Sequence, residues 1–178
     1  HWTKNLLAHP SRESLFVAIG SNSNIGELGP DAEQGRAGIW QLDLATRELV
    51  PFAKGLRNPV GMAWHSPTDT LWTVVNERDQ LGNDLVPDYL AQVNEGDDFG
   101  WPAHYWGILQ DPRVPRDWSS QPGVNLEDES LSKTSSTGPS SDQGNSRNTS
   151  LRPRRIPNYA LGAHTASLGL AFYSSPSI

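Results

Sequence analysis

Apolar and β-branched residues fall in short runs separated by turn residues. Leu15 to Ile19 is a buried-strand pattern closed by Gly20, Ser21 and Asn22. Gly38 to Leu44 alternates apolar with polar positions, as a half-buried strand does. Leu49 to Ala53, Val60 to Trp64, Leu71 to Val75 and Asp88 to Val93 complete six predicted strands. Residues Leu6 to Gly20 and Gly61 to Asn76 share one layout: a short strand, a turn with His, Pro and Ser, then a stronger strand. This unit and the strands after it recur at roughly 50 residues, the period of propeller blades of four strands each. The same strands could also build a β-sandwich. A different texture begins near Ser119, where Ser, Thr, Asn, Gly and Asp dominate as far as Ser150. Such a tract buries too little apolar surface to offset its chain entropy, so residues 119–155 are expected to be a disordered polar insert.

Composition sharpens this picture. The chain has 178 residues, with 16 Gly, 14 Pro and 7 Trp, which favours turns and strands over long helices. Lys and Arg number 14 against 20 Asp and Glu, a net charge of −6. That balance argues against a nucleic-acid-binding face. No apolar run is long enough to span a membrane. The absence of cysteine removes disulfides, thiolate metal sites and a cysteine nucleophile. The start, without Met or a signal-like apolar stretch, reads as the middle of a longer protein. Arg152 to Arg155 reads as the basic end of a linker, and Asn148-Thr149-Ser150 as a glycosylation sequon that matters only in a secreted eukaryotic protein. Structure is expected to resume at Ile156, with a strand over Leu168 to Tyr173.

The five histidines lack the helical spacing of a zinc site. No phosphate-binding Gly-Lys loop or Gly-x-Ser-x-Gly elbow is present. Three segments are chemically loaded. His1, just before a strand, suits a general base in a mouth loop, or is a surface histidine. In Gly55-Leu56-Arg57-Asn58-Pro59, the proline keeps Asn58 extended. Arg57 and Asn58 then offer a guanidinium and an amide to a ligand rich in carboxylate or carbonyl oxygen, or Arg57 pairs with a nearby acid. Val75 to Asp84 is dense in oxygen donors and suits a hard cation such as calcium, or is a solvated acidic loop.

Five ordered segments, HWTKNLL…LFVAIGSNSNIGE, GLRNPVGMAWH, LWTVVNERDQLGNDLVPDYL, FGWP and LGAHTASLGLAFY, resemble the soluble PQQ-dependent sugar dehydrogenases, in the glucose/sorbosone dehydrogenase group and its L-sorbosone branch. The resemblance covers about residues 1–115 and 156–173. It implies a six-bladed β-propeller with pyrroloquinoline quinone (PQQ) and calcium (Ca2+) at the channel mouth, of which this chain holds about three blades. Residues 1–118 would carry blades and cofactor loops, and 156–178 would start a further blade. By the resemblance, His1 is the base that takes the sugar hydroxyl proton, and Arg57 and Asn58 contact the quinone, with Arg57 polarising its reacting carbonyl. Glu77, Arg78 and Asp79 mark the calcium loop, which works through main-chain carbonyls. The expected activity is oxidation of an aldose or sugar aldehyde, with electrons passed to an external acceptor in the periplasm or outside the cell. Departures from the family are a chain that starts at the base itself, no match for its last basic cofactor contacts, and the polar tract after Val114. They leave two alternatives: an inactive propeller fragment that binds a partner, and a calcium-dependent lactonase-type propeller.

Overall fold

The computed structural model describes residues 1, 4–114, 118 and 153–173. Most of the polar tract, 119–152, lies outside the described residues. The chain is nearly all β. The strands are β1 (Lys4–Ala8), β2 (Ser14–Ile19), β3 (Gly38–Asp43), β4 (Leu49–Lys54), β5 (Pro59–His65), β6 (Thr70–Val75), β7 (Pro87–Val93), β8 (Asp97–Asp98), β9 (His104–Tyr105), β10 (Leu109–Gln110) and β11 (Tyr159–Ala163). A short helix, α1, covers Pro30–Glu33, and a 3-10 turn covers Ser66–Thr68. Among the described residues no helix is long and apolar enough to cross a membrane.

Two sheets carry the fold. The first runs β1-β2-β3-β4-β8 and the second β11-β7-β6-β5; β9 and β10 form a separate pair. The two repeat units found in the sequence are the hairpins β1–β2 and β5–β6, and the strands that follow them, β3 and β7, pair onto each in turn. Period-two burial explains why they form. In β2, Ser14, Phe16 and Ala18 are buried while the residues between them are half-exposed. In β7, Tyr89, Ala91 and Val93 point the same way. Turn chemistry closes the hairpins: Asp43 Oδ1 accepts the amides of Ala45 and Thr46, both at 2.8 Å, between β3 and β4. The core joins the sheets through Phe16, Ile39 and Ala53 from the first and Met62, Leu71, Val75 and Tyr89 from the second. Asn5 Nδ2 also reaches across to Val60 O.

Two expectations change. Leu168 to Tyr173 is no strand. Its backbone crosses the face of β5 at Gly61, where a Cβ would stand 2.7 Å from the Gly169 carbonyl carbon. The strand is β11, and it pairs with β7 as the edge of the second sheet. Tyr159–Ala163 thereby completes the four-stranded sheet of β5, β6 and β7. Residues 153–155, grouped by composition with the disordered tract, join the packed body. Arg155 N donates to Asp98 O at 2.7 Å, and Arg155 Nε lies 3.4 Å from the buried Asp97 carboxylate.

Candidate functional site

Strand register brings the three loaded segments to one end of the molecule. In the first sheet Lys4 faces Ile19, Ile19 faces Gly38 and Gly38 faces Lys54. In the second, Pro59 faces Val75, Val75 faces Tyr89 and Pro87 faces Ala163. The same end therefore collects His1, Gly20–Ser21, Gly55–Asn58, Asn76–Asp79 and His164–Ala166. His1 N donates to Ser21 O at 2.7 Å, and Ser21 N donates to Arg57 O at 2.7 Å. Gly20 is where the backbones come closest. A Cβ there would collide with the Asn58 amide and approach His1 Cβ to 3.0 Å.

Arg57 does not project freely from its loop. Its side chain is 6% exposed and lies inward. Nε donates to Asn24 O at 3.1 Å, Nη2 to Asn24 Oδ1 at 2.9 Å, and Nη1 to the carbonyls of Asn76 and Glu77. Asp79 Oδ2 is 3.9 Å away. Burial pushes the Arg57 pKa down, and Glu77, Asp79 and Asp88 oppose that shift. Arginine nonetheless stays a cation. Beside it Asn58 is buried, and its Oδ1 has no donor among the described residues. A buried acceptor without a donor is costly and marks a place where a ligand's N–H or O–H would be welcome.

The acidic loop divides its side chains between interior and surface. Glu77 is buried, and burial raises its carboxyl pKa to about 7, against the pull of the Arg78 amide and the Arg57 charge. Arg78 turns into the core, where its Nε stands 3.0 Å from Asp111 Oδ2, both side chains being 2% exposed or less. That approach is out of line for a hydrogen bond, and Nη1 and Nη2 have no partner among the described residues. Asp79 stays exposed and meets His164 Nδ1 at 3.2 Å through Oδ1. Asp88 ties the loop down: Oδ1 accepts Glu77 N at 2.8 Å, and Oδ2 accepts Thr165 Oγ1 at 3.0 Å and Ala166 N at 2.7 Å. Lys4 and Arg36 add positive charge next to His1, with no acid paired to either among the described residues. Burial and then the Arg36 charge lower the Lys4 pKa.

Two features fit an anionic cofactor: an unpaired buried acceptor at Asn58, and the cations Lys4 and Arg36, which no acid pairs among the described residues. The fit to calcium is narrower. Among the described residues no group of three or more His, Asp or Glu could hold a metal. Arg57 takes the carbonyls of Asn76 and Glu77, and Asn24 Nδ2 takes that of Asp79 at 3.2 Å. Each of these carbonyls keeps a second lone pair, but those of Asn76 and Glu77 face a guanidinium, and the exposed Asp79 carboxylate already meets His164. Calcium takes about 6–8 oxygens, so most would come from the cofactor and water.

Sequence reasoning named His1, Arg57, Asn58 and the 77–79 loop, and the fold brings them together. It passed over Asn24, Asp88, Asp111 and His164. Asn24 stood in a quoted polar turn and His164 in a quoted segment, but nothing local distinguished them, because their partners are set by the fold.

Two β-sheets whose polar loops meet at one shared end define the class. The TrAA12-like family matches residues 1–177, and the chain belongs to that family. Among solved structures it resembles the holo form of the pyranose dehydrogenase PQQ domain from Coprinopsis cinerea. Identity is 18% and the TM-score 0.61, over 98% of this chain and 46% of that one. It also resembles the calcium structure of the Carbohydrate-Active Enzymes Family AA12 protein of Trichoderma reesei. There identity is 19% and the TM-score 0.59, over 95% of this chain and 45% of that one. An uncharacterized protein of Borreliella burgdorferi is 29% identical over 103 residues, 57% of this chain and 26% of that protein. The two structures establish a shared fold, and the chain spans less than half the length of these relatives.

Proposed function

We propose that this chain forms part of a six-bladed β-propeller enzyme that oxidises an aldose or related sugar aldehyde with PQQ and calcium. Electrons then pass to an external acceptor, in the periplasm or outside the cell. The observation that carries this reading is the convergence of His1, Gly20, Arg57–Asn58 and Asn76–Asp79 at one end of both sheets. Family membership and the fold shared with a PQQ domain support it.

Each residue has a task in this reading. Lys4 and Arg36 draw an anionic cofactor to the site. Asn58 Oδ1 accepts a hydrogen bond that orients the cofactor. Arg57 holds a fixed positive charge at this end of the sheets and would stabilise negative charge developing on a bound quinone. The main-chain carbonyls of Glu77, Arg78 and Asp79 would hold calcium, with the exposed Asp79 carboxylate beside them. His1 is exposed at the mouth and takes the proton of the sugar hydroxyl. Bound quinone supplies the hydride acceptor that no side chain can provide.

The test is a titration of PQQ into the protein, with and without calcium, read by tryptophan fluorescence, followed by sugar oxidation with a redox dye. Saturable, calcium-dependent quenching is expected. His1→Ala should leave that binding intact and slow oxidation about 100-fold or more. An unchanged oxidation rate in His1→Ala would remove the base assignment, and no quinone binding at all would remove the proposal.

A further inference from the structure

The residue that gathers this site together is Asn24, in the loop between β2 and α1. Its backbone carbonyl accepts two donors, Arg57 Nε at 3.1 Å and Trp101 Nε1 at 3.2 Å. Its side-chain Oδ1 accepts two more, Arg57 Nη2 and Asp79 N, both at 2.9 Å. Its Nδ2 donates to Asp79 O at 3.2 Å. The side-chain amide thus reads both backbone groups of Asp79, while the same residue holds two of the three nitrogens of the Arg57 guanidinium. The orientation of the amide is fixed by these partners. Reversed, its NH2 would face the Nη2–H of Arg57 and the Asp79 amide, and its oxygen would face the Asp79 carbonyl.

We propose that Asn24 is a positioning residue for the cofactor site, locking the Arg57 guanidinium and the 76–79 loop in one geometry before any ligand arrives. The proposal rests on the quinone-dehydrogenase reading for its ligand, and on the bonds above for its mechanism. Arg57 alone could swing on its long side chain. Held through Nε and Nη2 by Asn24, and through Nη1 by two carbonyls of the facing loop, its plane is set. Asparagine suits the position because one amide must both accept from and donate to the Asp79 backbone. An aspartate would keep the acceptor for Arg57 and set a second oxygen against the Asp79 carbonyl.

The full chain serves for the test, as wild type, Asn24→Ala, Asn24→Asp, Arg57→Lys and the double variant Asn24→Ala/Arg57→Lys. In the cofactor-free protein, hydrogen exchange of the Arg57 Nη2–H, the donor to Asn24 Oδ1, is followed by nitrogen-15 NMR, the signal being identified by its loss in Arg57→Lys. Exchange is expected to quicken about tenfold or more in Asn24→Ala and to stay within about threefold of wild type in Asn24→Asp. The second readout is PQQ affinity by tryptophan quenching. Asn24→Ala should weaken it by about 10–100-fold, as loss of an orienting partner does at other sites. In the Arg57→Lys background the same substitution should cost several-fold less, leaving only the loss from the freed 76–79 loop. Asn24→Asp should fall between wild type and Asn24→Ala. Unchanged Arg57 exchange in Asn24→Ala, or an equal loss of affinity in the Arg57→Lys background, overturns the proposal. If Asn24→Ala does not fold, Asn24→Asp decides: rapid Arg57 exchange in that folded variant overturns it too. A wild type that binds no PQQ defeats the dehydrogenase reading, and the exchange measurement still decides whether Asn24 holds Arg57.

Discussion

Neutralising Asp111 should cost far more than the ion pair it makes is worth. The Arg78 and Asp111 charges stand 3.0 Å apart with both side chains almost fully buried. At an effective dielectric constant of about 20 their attraction is about 5–6 kcal/mol. Removing each ion from water costs several kcal/mol, so the intact pair adds little net stability. Removing one member leaves the other charge buried and uncompensated, at about 3–5 kcal/mol. Asp111→Asn isolates the charge, because Oδ1 can still accept the Arg113 amide that it holds at 2.9 Å. For a chain of this size the loss corresponds to about 6–20 °C in melting temperature. The assay is urea and thermal unfolding by circular dichroism on wild type, Asp111→Asn, Arg78→Met and the double variant Arg78→Met/Asp111→Leu. The double variant should recover most of what either single change loses. Singles that each cost under about 1 kcal/mol, or a double variant equal to their sum, would show that the pair is not held in a dry interior.

Two further outcomes follow from the same end of the molecule. The Glu77 carboxyl has its folded-state pKa raised from 4.5 to about 7. The folded protein therefore binds that proton more tightly than the unfolded chain. The associated stability is present below about pH 4.5, falls as pH rises towards 7 and is gone above it, a change of about 3 kcal/mol. Unfolding by urea across pH 4–8 should show this slope in wild type and lose it in Glu77→Gln. Gly20→Ala places a methyl group against Asn58 and His1. It should lower stability by about 1–3 kcal/mol and reduce PQQ quenching more than that loss alone explains, measured side by side with a thermal melt.

The strands were legible where alternation was strong. Phe16 and Ala18, or Tyr89, Ala91 and Val93, announce a buried face two residues at a time. β11 was not, since Tyr159 to Ala163 has four of its five residues exposed and carries its own glycine. Leu168 to Tyr173 looks more like a strand, but pairing along the chain cannot reveal that Gly169 will lie across Gly61. The site followed the same division. His1, Arg57 and Asn58 declare themselves by type and by a neighbouring proline. Asn24 has the composition of any polar turn, and its role comes from residues 33 and 55 positions away. Arg78 offers the sharpest contrast: in sequence it belongs to a loop of candidate cation ligands, and in the fold its side chain belongs to Asp111.

The late arrival of β11 bears on how the molecule assembles. The first four strands of one sheet follow one another between Lys4 and Lys54, the longest link being the 18 residues that carry α1 between β2 and β3, so their pairing needs only a fairly local search. In the other sheet β5, β6 and β7 are also successive, but about 65 residues separate Val93 from Tyr159 before the edge strand can join. Closing a loop of that length costs about 2 kcal/mol more than closing a five-residue hairpin. Contact order of this kind slows folding. The first sheet and the β5–β7 ribbon can therefore be in place while the edge of β7 still stands open. Arg57, Asn58 and Asn76 would by then be assembled, and His164, Thr165 and Ala166 would be the last groups to reach the site. On that schedule the site is completed from its His164 side, after its Arg57 side is in place.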